Sequence, residues 1–139
     1  ASRPVSVHPT REIAAAVVQR PDGKVLLLRR ADTRRSYPGK WCFVTGYIGE
    51  HETPREAAIR ELYEELGIIA VPVGEGPVVV VETGEGEALR IYPYLFRVED
   101  QPVRLDEEHV DYTWIEPHEV TDYDIVPQLD DDLRAVGLL

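Results

Sequence analysis

One stretch, residues 46–68, constrains the fold of this chain most, and it reads GYIGEHETPREAAIRELYEELGI. Thr53 is suited to cap a helix, Pro54 to occupy its first position, and Glu56 to complete a capping box. Gly67 tolerates the left-handed conformation in which helices commonly end. The sequence therefore predicts a loop followed by a helix that begins near Pro54 and ends near Gly67.

The predicted helix has an apolar face and an acidic face. At roughly 100° per residue, the apolar face comprises Ala58, Ile59, Leu62, Tyr63 and Leu66. Glu61, Glu64 and Glu65 lie together on another side, and Glu52 lies in the loop before the helix. Carboxylates three or four residues apart are close neighbours and repel unless a positive charge lies among them. A hard divalent cation would relieve that repulsion, and an acidic face open to solvent is the alternative.

The spacing of these acids resembles the Nudix box, G-x5-E-x7-R-E-U-x-E-E-x-G-U, in which U is aliphatic. Every specified position is filled, by Gly46, Glu52, Arg60, Glu61, Leu62, Glu64, Glu65, Gly67 and Ile68. The resemblance implies an α/β fold of the Nudix type, an α/β/α sandwich with a mixed β-sheet packed between helices. It also implies a hydrolase that uses Mg²⁺ or Mn²⁺ to cleave the pyrophosphate bond of a nucleoside diphosphate linked to another moiety.

The box residues receive specific roles. Glu61 and Glu65 are the predicted main metal ligands, because they lie one helical turn apart and point the same way. By resemblance, the backbone carbonyl of Gly46 is a further metal ligand. Glu52 and Arg60 are predicted to take part in catalysis, Glu52 in the metal shell or as a brace for Arg60. An arginine beside the acids would hold their carboxylates in place.

The general base stays open among three glutamates. Several Nudix enzymes use a glutamate from a distal loop, and Glu108 occupies a comparable place here, with Glu107 as its neighbour. Glu64 is the third candidate, since we expect it either to bind a second metal ion or to polarise the attacking water. No motif fixes the register of the distal loop, so the resemblance does not choose among them.

Arg29, Arg30, Arg34 and Arg35 form a basic concentration in an acidic chain. Because the guanidinium group suits phosphate oxygens, we predict that Arg29, Arg34 and Arg35 bind substrate. A solvated loop with surface salt bridges is the alternative. Tyr47 is predicted to stack on a nucleobase, with simple packing of the loop as its alternative.

The rest of the chain predicts strands around the helix. Residues 12–19 form a buried strand or a short helix, and a turn at 20–23 joins them to a strand at 24–30. Further strands are predicted at 41–45, 78–82, 89–98 and 112–115, turns at 72–76 and 83–87, and a final helix at 126–136. The continuous apolar run 78–82 indicates a central strand. Pro93 indicates an edge strand or a bulge.

We expect a single Nudix hydrolase domain over residues 1–139, with 1–11 as a flexible arm. The formal net charge is −11, which argues against nucleic-acid binding and requires metal ions and arginines to attract a phosphate substrate locally. Asp130, Asp131 and Asp132 are interpreted as solubilising residues at the start of the last helix and not as a metal site.

Cys42 is the single cysteine, so an intrachain disulfide is excluded, and it is expected in the core. No apolar run has the length of a membrane span. We therefore expect a cytoplasmic enzyme with a nucleotide-type substrate and with neither nucleic-acid nor membrane partners. A homodimer stays open, because homodimers are common among Nudix proteins.

The sequence VTG at residues 44–46 resembles nucleoside triphosphate pyrophosphohydrolases. Hydrolases of ADP-ribose or of dinucleoside polyphosphates are alternatives, although their marker proline or tyrosine beyond the box is not found at residues 83–86. An isopentenyl diphosphate isomerase-like enzyme would share the fold, but its box is degenerate. A non-catalytic Nudix nucleotide-binding module usually loses box glutamates that this chain keeps.

Overall fold

The computed structural model describes residues 10–82 and 86–139. The strands in these residues are β1 Thr10–Gln19, β2 Val25–Arg30, β3 Trp41–Cys42, β4 Val44–Tyr47, β5 Val71–Glu75, β6 Val79–Glu82, β7 Ala88–Arg97 and β8 His109–Ile115. The helices are α1 Pro54–Leu66, a 3₁₀-helix Pro117–Asp122 and α2 Leu129–Ala135. None of these helices is long and apolar enough to cross a membrane.

One mixed sheet joins these strands, and the predicted α/β fold is confirmed. Its order is β3-β2-β1-β7-β5, with β4 also paired to β1, β6 to β7 and β8 to β2. β1 and β7 run parallel and in continuous register from Thr10↔Ala88 to Gln19↔Arg97, whereas the other pairs are antiparallel. These two strands carry fully buried residues such as Val17 and Phe96, so the core is built around them.

The N-terminal strands follow the prediction closely. β1 and β2 form the expected hairpin, in which Gln19 pairs with Val25 across the turn at 20–23. Strand β1 already begins at Thr10, so the last two residues of the predicted arm belong to the sheet, because their backbone pairs with β7. The remainder of that arm, residues 1–9, lies outside the described residues.

The termini of α1 are confirmed in detail. The Glu56 backbone N–H donates to Thr53 Oγ1 at 3.1 Å, and the Thr53 N–H donates to Glu56 Oε1 at 2.9 Å. At the other end, Gly67 adopts the left-handed conformation with φ 67°. Local side-chain chemistry thus determines where this helix begins and ends.

The buried face of α1 differs from the predicted one. Ala57, Ala58, Leu62 and Leu66 are buried, but Ile59 is 43% exposed and Tyr63 is 59% exposed. The helix packs on β1 and β4, and the arc it buries extends roughly 180° from Ala57 to Leu66 at 100° per residue. Ile59 and Tyr63 fall just beyond this arc, so their assignment to the core face was wrong.

Two strand interpretations are corrected. Residues 71–75 form strand β5, not a turn, and β6 pairs on the outer side of β7 with alternating exposure, so it is not a central strand. β7 lies inside the sheet although it contains Pro93. Proline is tolerated because β5 pairs with residues 94–97 and β6 with 88–91, and the missing N–H falls in the gap between them.

The last helix is shorter than predicted. α2 spans Leu129–Ala135, and residues 124–126 instead run along β3, where the Val126 N–H donates to the Trp41 carbonyl at 3.0 Å. Leu129 and Leu133 are buried as expected. The predicted turn at 83–87 lies largely outside the described residues.

Candidate active site

A cleft of about 1370 Å³ opens where α1, the arginine loop and the start of α2 meet the sheet. One wall carries the acids of α1, and another carries arginines of the loop that follows β2. A third wall is formed by residues 126–132. Residues that line the cleft include Arg34, Arg35, Phe43, Gly46, Tyr47, Arg60, Glu61, Glu64, Glu65, Asp106, Glu108, Gln128 and Asp132.

Helix α1 turns two of its acids toward the protein interior. Glu61 and Glu65 fall at roughly 40° and 80° from Ala57 on the helical wheel, which is the middle of the buried arc. Their side chains are only 16% and 10% exposed, whereas Glu64 lies at the rim and is 56% exposed. The three acids lie together and all line the cleft, as predicted, but Glu61 and Glu65 share the buried arc of the helix and do not form a separate polar side.

Gly46 leaves the space that Glu61 occupies. A Cβ atom at position 46 would collide with the Cγ, Cδ and Oε1 atoms of Glu61. The glycine on β4 is thus required for the close approach of the strand backbone to this carboxylate. The assignment of the Gly46 carbonyl and the Glu61 carboxylate as metal ligands stays a prediction.

Glu65 is a buried carboxyl group in this part of the cleft, and its surroundings favour a bound cation. Its Oε2 atom is buried and has no hydrogen-bond partner in the part of the chain that the structure describes. Burial, the neighbouring Glu61, and the charges of Asp106 and Glu108 raise the pKa of Glu65 to about 10. A buried carboxyl group beside other acids is stabilised by a cation, and a set of carboxylate oxygens matches the preference of Mg²⁺ and Mn²⁺. The residues present therefore fit a divalent metal ion.

Arg60 organises the outer side of the acidic cluster. It donates to both carboxylate oxygens of Glu52 at 2.8 and 2.9 Å, to Glu61 at 2.7 Å, to Glu64 at 3.2 Å and to the Tyr47 carbonyl at 3.1 Å. These bonds and the Gly49 N–H hold the pKa of Glu52 down at about 2. Two roles are predicted for Glu52, a place in the metal shell or a brace for Arg60, and these hydrogen bonds support the second.

The structure adds Asp106 and His109 to the site, which the sequence prediction left out. His109 is buried, with Nδ1 2.8 Å from Asp106 Oδ1 and 4.0 Å from Glu65 Oε1. The ligand atoms of Glu65, Asp106 and His109 all lie within 4.8 Å of one another. The sequence showed acids beside His109, but only the pairing of β8 with β2 brings them to α1.

Cys42 is confirmed as a core residue. It is buried, and burial raises the pKa of its thiol to about 11, so the neutral thiol predominates at physiological pH. Its Sγ lies 3.8 Å from His109 Nε2, where it packs behind the acidic cluster.

The candidate bases occupy different surroundings. Glu108 lines the cleft with a 55% exposed side chain, and its Oε2 lies 3.2 Å from Arg34 Nη1. Glu64 also lines the cleft and pairs with Arg60, whereas Glu107 is exposed and is not among the lining residues. The geometry thus favours Glu108 and Glu64 as groups able to reach a substrate.

The arginine prediction needs one correction. Arg34 and Arg35 line the cleft, but Arg29 is exposed away from it and donates to the Gly39 carbonyl at 3.3 Å. Neighbouring residues in a strand point to opposite faces, so Arg30 faces the cleft instead. Arg30 is buried and shapes the arginine loop by donating to the Ser36 carbonyl at 2.9 Å and to Ser36 Oγ at 2.8 Å.

Tyr47 lies at the mouth of the cleft. Its ring is exposed, and its hydroxyl accepts a hydrogen bond from Arg11 Nη1 at 2.8 Å. The Arg11 guanidinium also lies 5.7 Å from the ring centroid. Stacking on a base and packing against Arg11 are both compatible with this position.

The three acids of α2 do not share one environment. Asp130 and Asp131 pair with Arg134 on the exposed side at 3.1 Å each, as their solubilising role predicts. Asp132 instead is 3% exposed and lines the cleft with Gln128. Burial and its two acidic neighbours raise the pKa of Asp132 to about 7, so its assignment to a solvated run was wrong.

Together these features define a class of site: inward-facing carboxylates that fit a divalent cation, beside arginines suited to phosphate, on a mixed α/β sheet. Comparisons with known proteins agree. A model of the NUDIX domain matches residues 9–135. The nucleoside triphosphatase NudI of Escherichia coli is 30% identical, over 93% of this chain and 98% of that protein.

Solved structures show the same fold. The Escherichia coli ORF135 protein matches with a TM-score of 0.76 and 29% identity, over 96% of this chain and 92% of that one. A MutT protein from Methanosarcina mazei Go1 matches with a TM-score of 0.75 and 27% identity, over 91% of each chain. This chain belongs to the Nudix family, and it is a hydrolase that acts on pyrophosphate bonds.

Proposed function

We propose that the protein hydrolyses nucleoside triphosphates to nucleoside monophosphates and pyrophosphate, with Mg²⁺ or Mn²⁺ as cofactor. The observation that carries this proposal is the buried carboxyl of Glu65, whose Oε2 has no partner, in a cleft that also contains Arg34 and Arg35. The VTG sequence before the box and the similarity to a protein named a nucleoside triphosphatase support the choice of a triphosphate.

The residues divide into a cation-binding group and a phosphate-binding group. Glu61, Glu65 and the Gly46 carbonyl would hold the metal ion, with Glu64 at the rim. A divalent cation held there supplies positive charge to the phosphate oxygens and makes water a better nucleophile. Arg34 and Arg35 would bind phosphate oxygens farther along the substrate, while Tyr47 at the mouth of the cleft would contact the base. This local positive charge offsets the acidity of the chain.

The reaction itself requires one water and one base. The water oxygen forms a bond to a phosphorus of the anhydride, and the bond from that phosphorus to the bridging oxygen breaks. The bridging oxygen leaves with the pyrophosphate, and the proton of the water passes to a carboxylate. Glu108 is our first assignment for that carboxylate, with Glu64 and Glu107 as the alternatives.

The ion pair between Glu108 and Arg34 has a consequence for this role. The Arg34 guanidinium and the Glu108 carboxylate lie 3.2 Å apart and form an ion pair. A phosphate bound by Arg34 would compete for the same guanidinium and free the carboxylate next to the substrate. Substrate binding and readiness of the base are therefore linked in this proposal.

Glu108→Gln is expected to lower kcat by roughly two to four orders of magnitude, because glutamine cannot accept the proton. The measurement is the steady-state rate of pyrophosphate release in saturating Mg²⁺ and substrate. Glu107→Gln is the matched control, one residue away on an exposed side chain, and should leave the rate within a few-fold. A normal rate for Glu108→Gln would pass the role to Glu64, or to Glu107 if that variant is slow.

The substrate class is tested by a panel of nucleoside triphosphates, ADP-ribose, dinucleoside polyphosphates and isopentenyl diphosphate, each with Mg²⁺ and with Mn²⁺. We expect a nucleoside monophosphate and pyrophosphate from at least one triphosphate, detected by chromatography and by pyrophosphate release. Faster release of a nucleoside monophosphate from ADP-ribose or a dinucleoside polyphosphate would reassign the substrate. If the folded, metal-loaded protein hydrolyses no compound of the panel, the proposed activity is wrong and the chain shares only the fold of the family.

The same proposal describes a single Nudix domain that acts in the cytoplasm on nucleotides and not on nucleic acid, which the net charge of −11 disfavours. Formation of a homodimer stays an expectation from the family.

A further inference from the structure

We propose that Gln128 and Asp132 form the base-recognition floor of the cleft and select a nucleobase that carries an exocyclic amino group. The inference rests on the proposed function, because it assumes that the cleft holds a nucleotide whose phosphates lie at the acidic cluster. It goes further by naming the part of the substrate that this chain reads and the two residues that read it.

The first evidence is a pair of buried oxygen atoms that have nothing to bind. Gln128 Oε1 and Asp132 Oδ1 are both buried without a hydrogen-bond partner among residues 10–82 and 86–139, and both residues line the cleft. Asp132 is 97% buried, since its exposed fraction is 3%. Leaving a buried acceptor unpaired is unfavourable, so two such atoms in one cleft indicate that a ligand completes them.

The backbone places the two side chains together. Gln128 directly precedes α2, and the Asp132 N–H donates to the Gln128 carbonyl at 2.9 Å. Residues four apart on a helix lie on the same face. Gln128 also adopts a left-handed conformation with φ 71°, which is uncommon for a residue that is not glycine. Docking of residues 124–126 along β3 fixes this segment.

The surroundings suit a flat heterocycle. Phe43, Val126 and Leu129 line the same cleft as the two polar residues and are themselves buried. A ligand site of this kind typically combines apolar walls with a few convergent polar groups that fix orientation. A phosphate group would not be accepted beside Asp132, because like charges repel.

The position fits the length of a nucleoside. Phe43 and Gly46 both line the cleft and lie three residues apart along β3 and β4, which corresponds to roughly 10 Å of extended chain. Gly46 lies against Glu61 in the acidic cluster, whereas Trp41, two residues before Phe43, is hydrogen-bonded to Asp124 and Val126 at the start of the third wall. A nucleotide with its anhydride at the acids would thus extend its base toward Gln128 and Asp132.

The chemistry of the pair identifies the kind of base. Both orphaned atoms are oxygens, and an amide or carboxyl oxygen accepts hydrogen bonds. Guanine, adenine and cytosine each present an exocyclic amino group with two N–H donors. Uracil, thymine and hypoxanthine present a carbonyl oxygen or no group at the corresponding position. With such a base, the buried oxygens of Gln128 and Asp132 stay unpaired or face another acceptor, which lowers affinity.

Three matched pairs of substrates test the inference: GTP against ITP, ATP against ITP, and CTP against UTP. GTP and ITP differ only in the 2-amino group, whereas in the other two pairs a carbonyl oxygen replaces the amino group and the adjacent ring nitrogen carries a proton. We expect kcat/KM to favour the amino-bearing member of at least one pair by roughly tenfold or more. Equal values within all three pairs, or a preference for the member without the amino group, would overturn the inference.

Three variants then assign the preference to the two residues. Asp132→Leu removes both oxygens at similar volume and should bring the preferred ratio close to one. Asp132→Asn keeps one carbonyl oxygen and should give an intermediate ratio. Gln128→Asn keeps the amide and tolerates the left-handed backbone, but its shorter reach should lower the ratio. An unchanged ratio in all three would exclude this floor.

Folding does not compromise the test. Removal of an unpartnered buried carboxyl should raise the melting temperature of Asp132→Leu at pH 8 by several degrees. Should that variant nevertheless unfold, Asp132→Asn and Gln128→Asn still decide the matter.

Failure of the proposed function is separable from failure of this inference. Calorimetric titration with GMP, IMP, CMP, AMP and UMP measures base preference without any hydrolysis. If no triphosphate is hydrolysed but an amino-bearing monophosphate binds about tenfold more tightly and loses this advantage in Asp132→Leu, the base floor stands and the proposed reaction fails. If triphosphates are hydrolysed without base preference, the reaction stands and the base floor fails.

Discussion

Glu65→Gln is expected to lower kcat by roughly two to three orders of magnitude while the protein stays folded. Glutamine has nearly the same shape but lacks the negative charge that holds a cation, and loss of electrostatic stabilisation in a buried site is costly for the transition state. The Glu65 side chain is 10% exposed and one of its oxygens has no partner in the structure, so a bound ion is the interaction that the substitution removes. The rate should be measured with saturating nucleoside triphosphate over a range of Mg²⁺ and Mn²⁺ concentrations.

A second measurement distinguishes loss of the metal from loss of the fold. A ligand that binds only the folded state raises the melting temperature, so Mn²⁺ should stabilise the wild-type protein and have little effect on Glu65→Gln. Glu99→Gln, an exposed acid outside the cleft, is the matched control and should behave like wild type in both assays. Full activity and full Mn²⁺ stabilisation in Glu65→Gln would remove Glu65 from the metal site.

Gly46→Ala is expected to lower kcat/KM about 100-fold. The added methyl group occupies the volume of the Glu61 carboxylate, so either the β4 backbone or Glu61 must move. A shift of about 1 Å at a reacting centre is enough for an effect of this size. Steady-state kinetics and a Mn²⁺ titration followed by calorimetry should both show the defect, because the displaced carboxylate belongs to the predicted ligand set.

The matched control for this substitution is Gly74→Ala in β5. A Cβ at Gly74 would lie 3.6 Å from the Leu95 Cβ, an ordinary contact, and its backbone lies outside the left-handed region. Replacement there should leave activity unchanged and, by restricting the unfolded chain, stability unchanged or slightly higher. Equal loss of activity in both variants would show that the effect of Gly46→Ala is general and not specific to Glu61.

Local sequence chemistry predicted the central helix to the residue. The capping box of Thr53 and Glu56 and the left-handed Gly67 depend on atoms only a few residues apart, and they appear as expected. The hairpin of β1 and β2 and the mixed sheet also follow from short-range patterns. The box spacing indicates the family without any tertiary information.

Errors arose where burial depends on a partner element. The sequence placed Glu61 and Glu65 on a polar side and Ile59 and Tyr63 in the core, but packing on β1 and β4 selects the opposite arrangement. A helical wheel gives the angles between residues, and only the sheet determines which angle faces inward. The error at Arg29 has the same cause. Alternation places Arg29 and Arg30 on opposite faces of β2, but the sequence does not show which of these faces borders the cleft.

The sequence by itself determined that this chain forms a capped helix after a glycine loop and carries a complete set of acids for a metal-dependent hydrolase. The tertiary structure decided which acids point inward, brought Asp106, Gln128 and Asp132 to the same cleft, and placed the buried His109 beside Glu65 and Asp106. The physical reason is range: caps and turns are stabilised within a few residues of one another, whereas cleft walls come from segments up to 119 residues apart, between Ile13 and Asp132. Only sheet pairing and core packing bring such distant segments together.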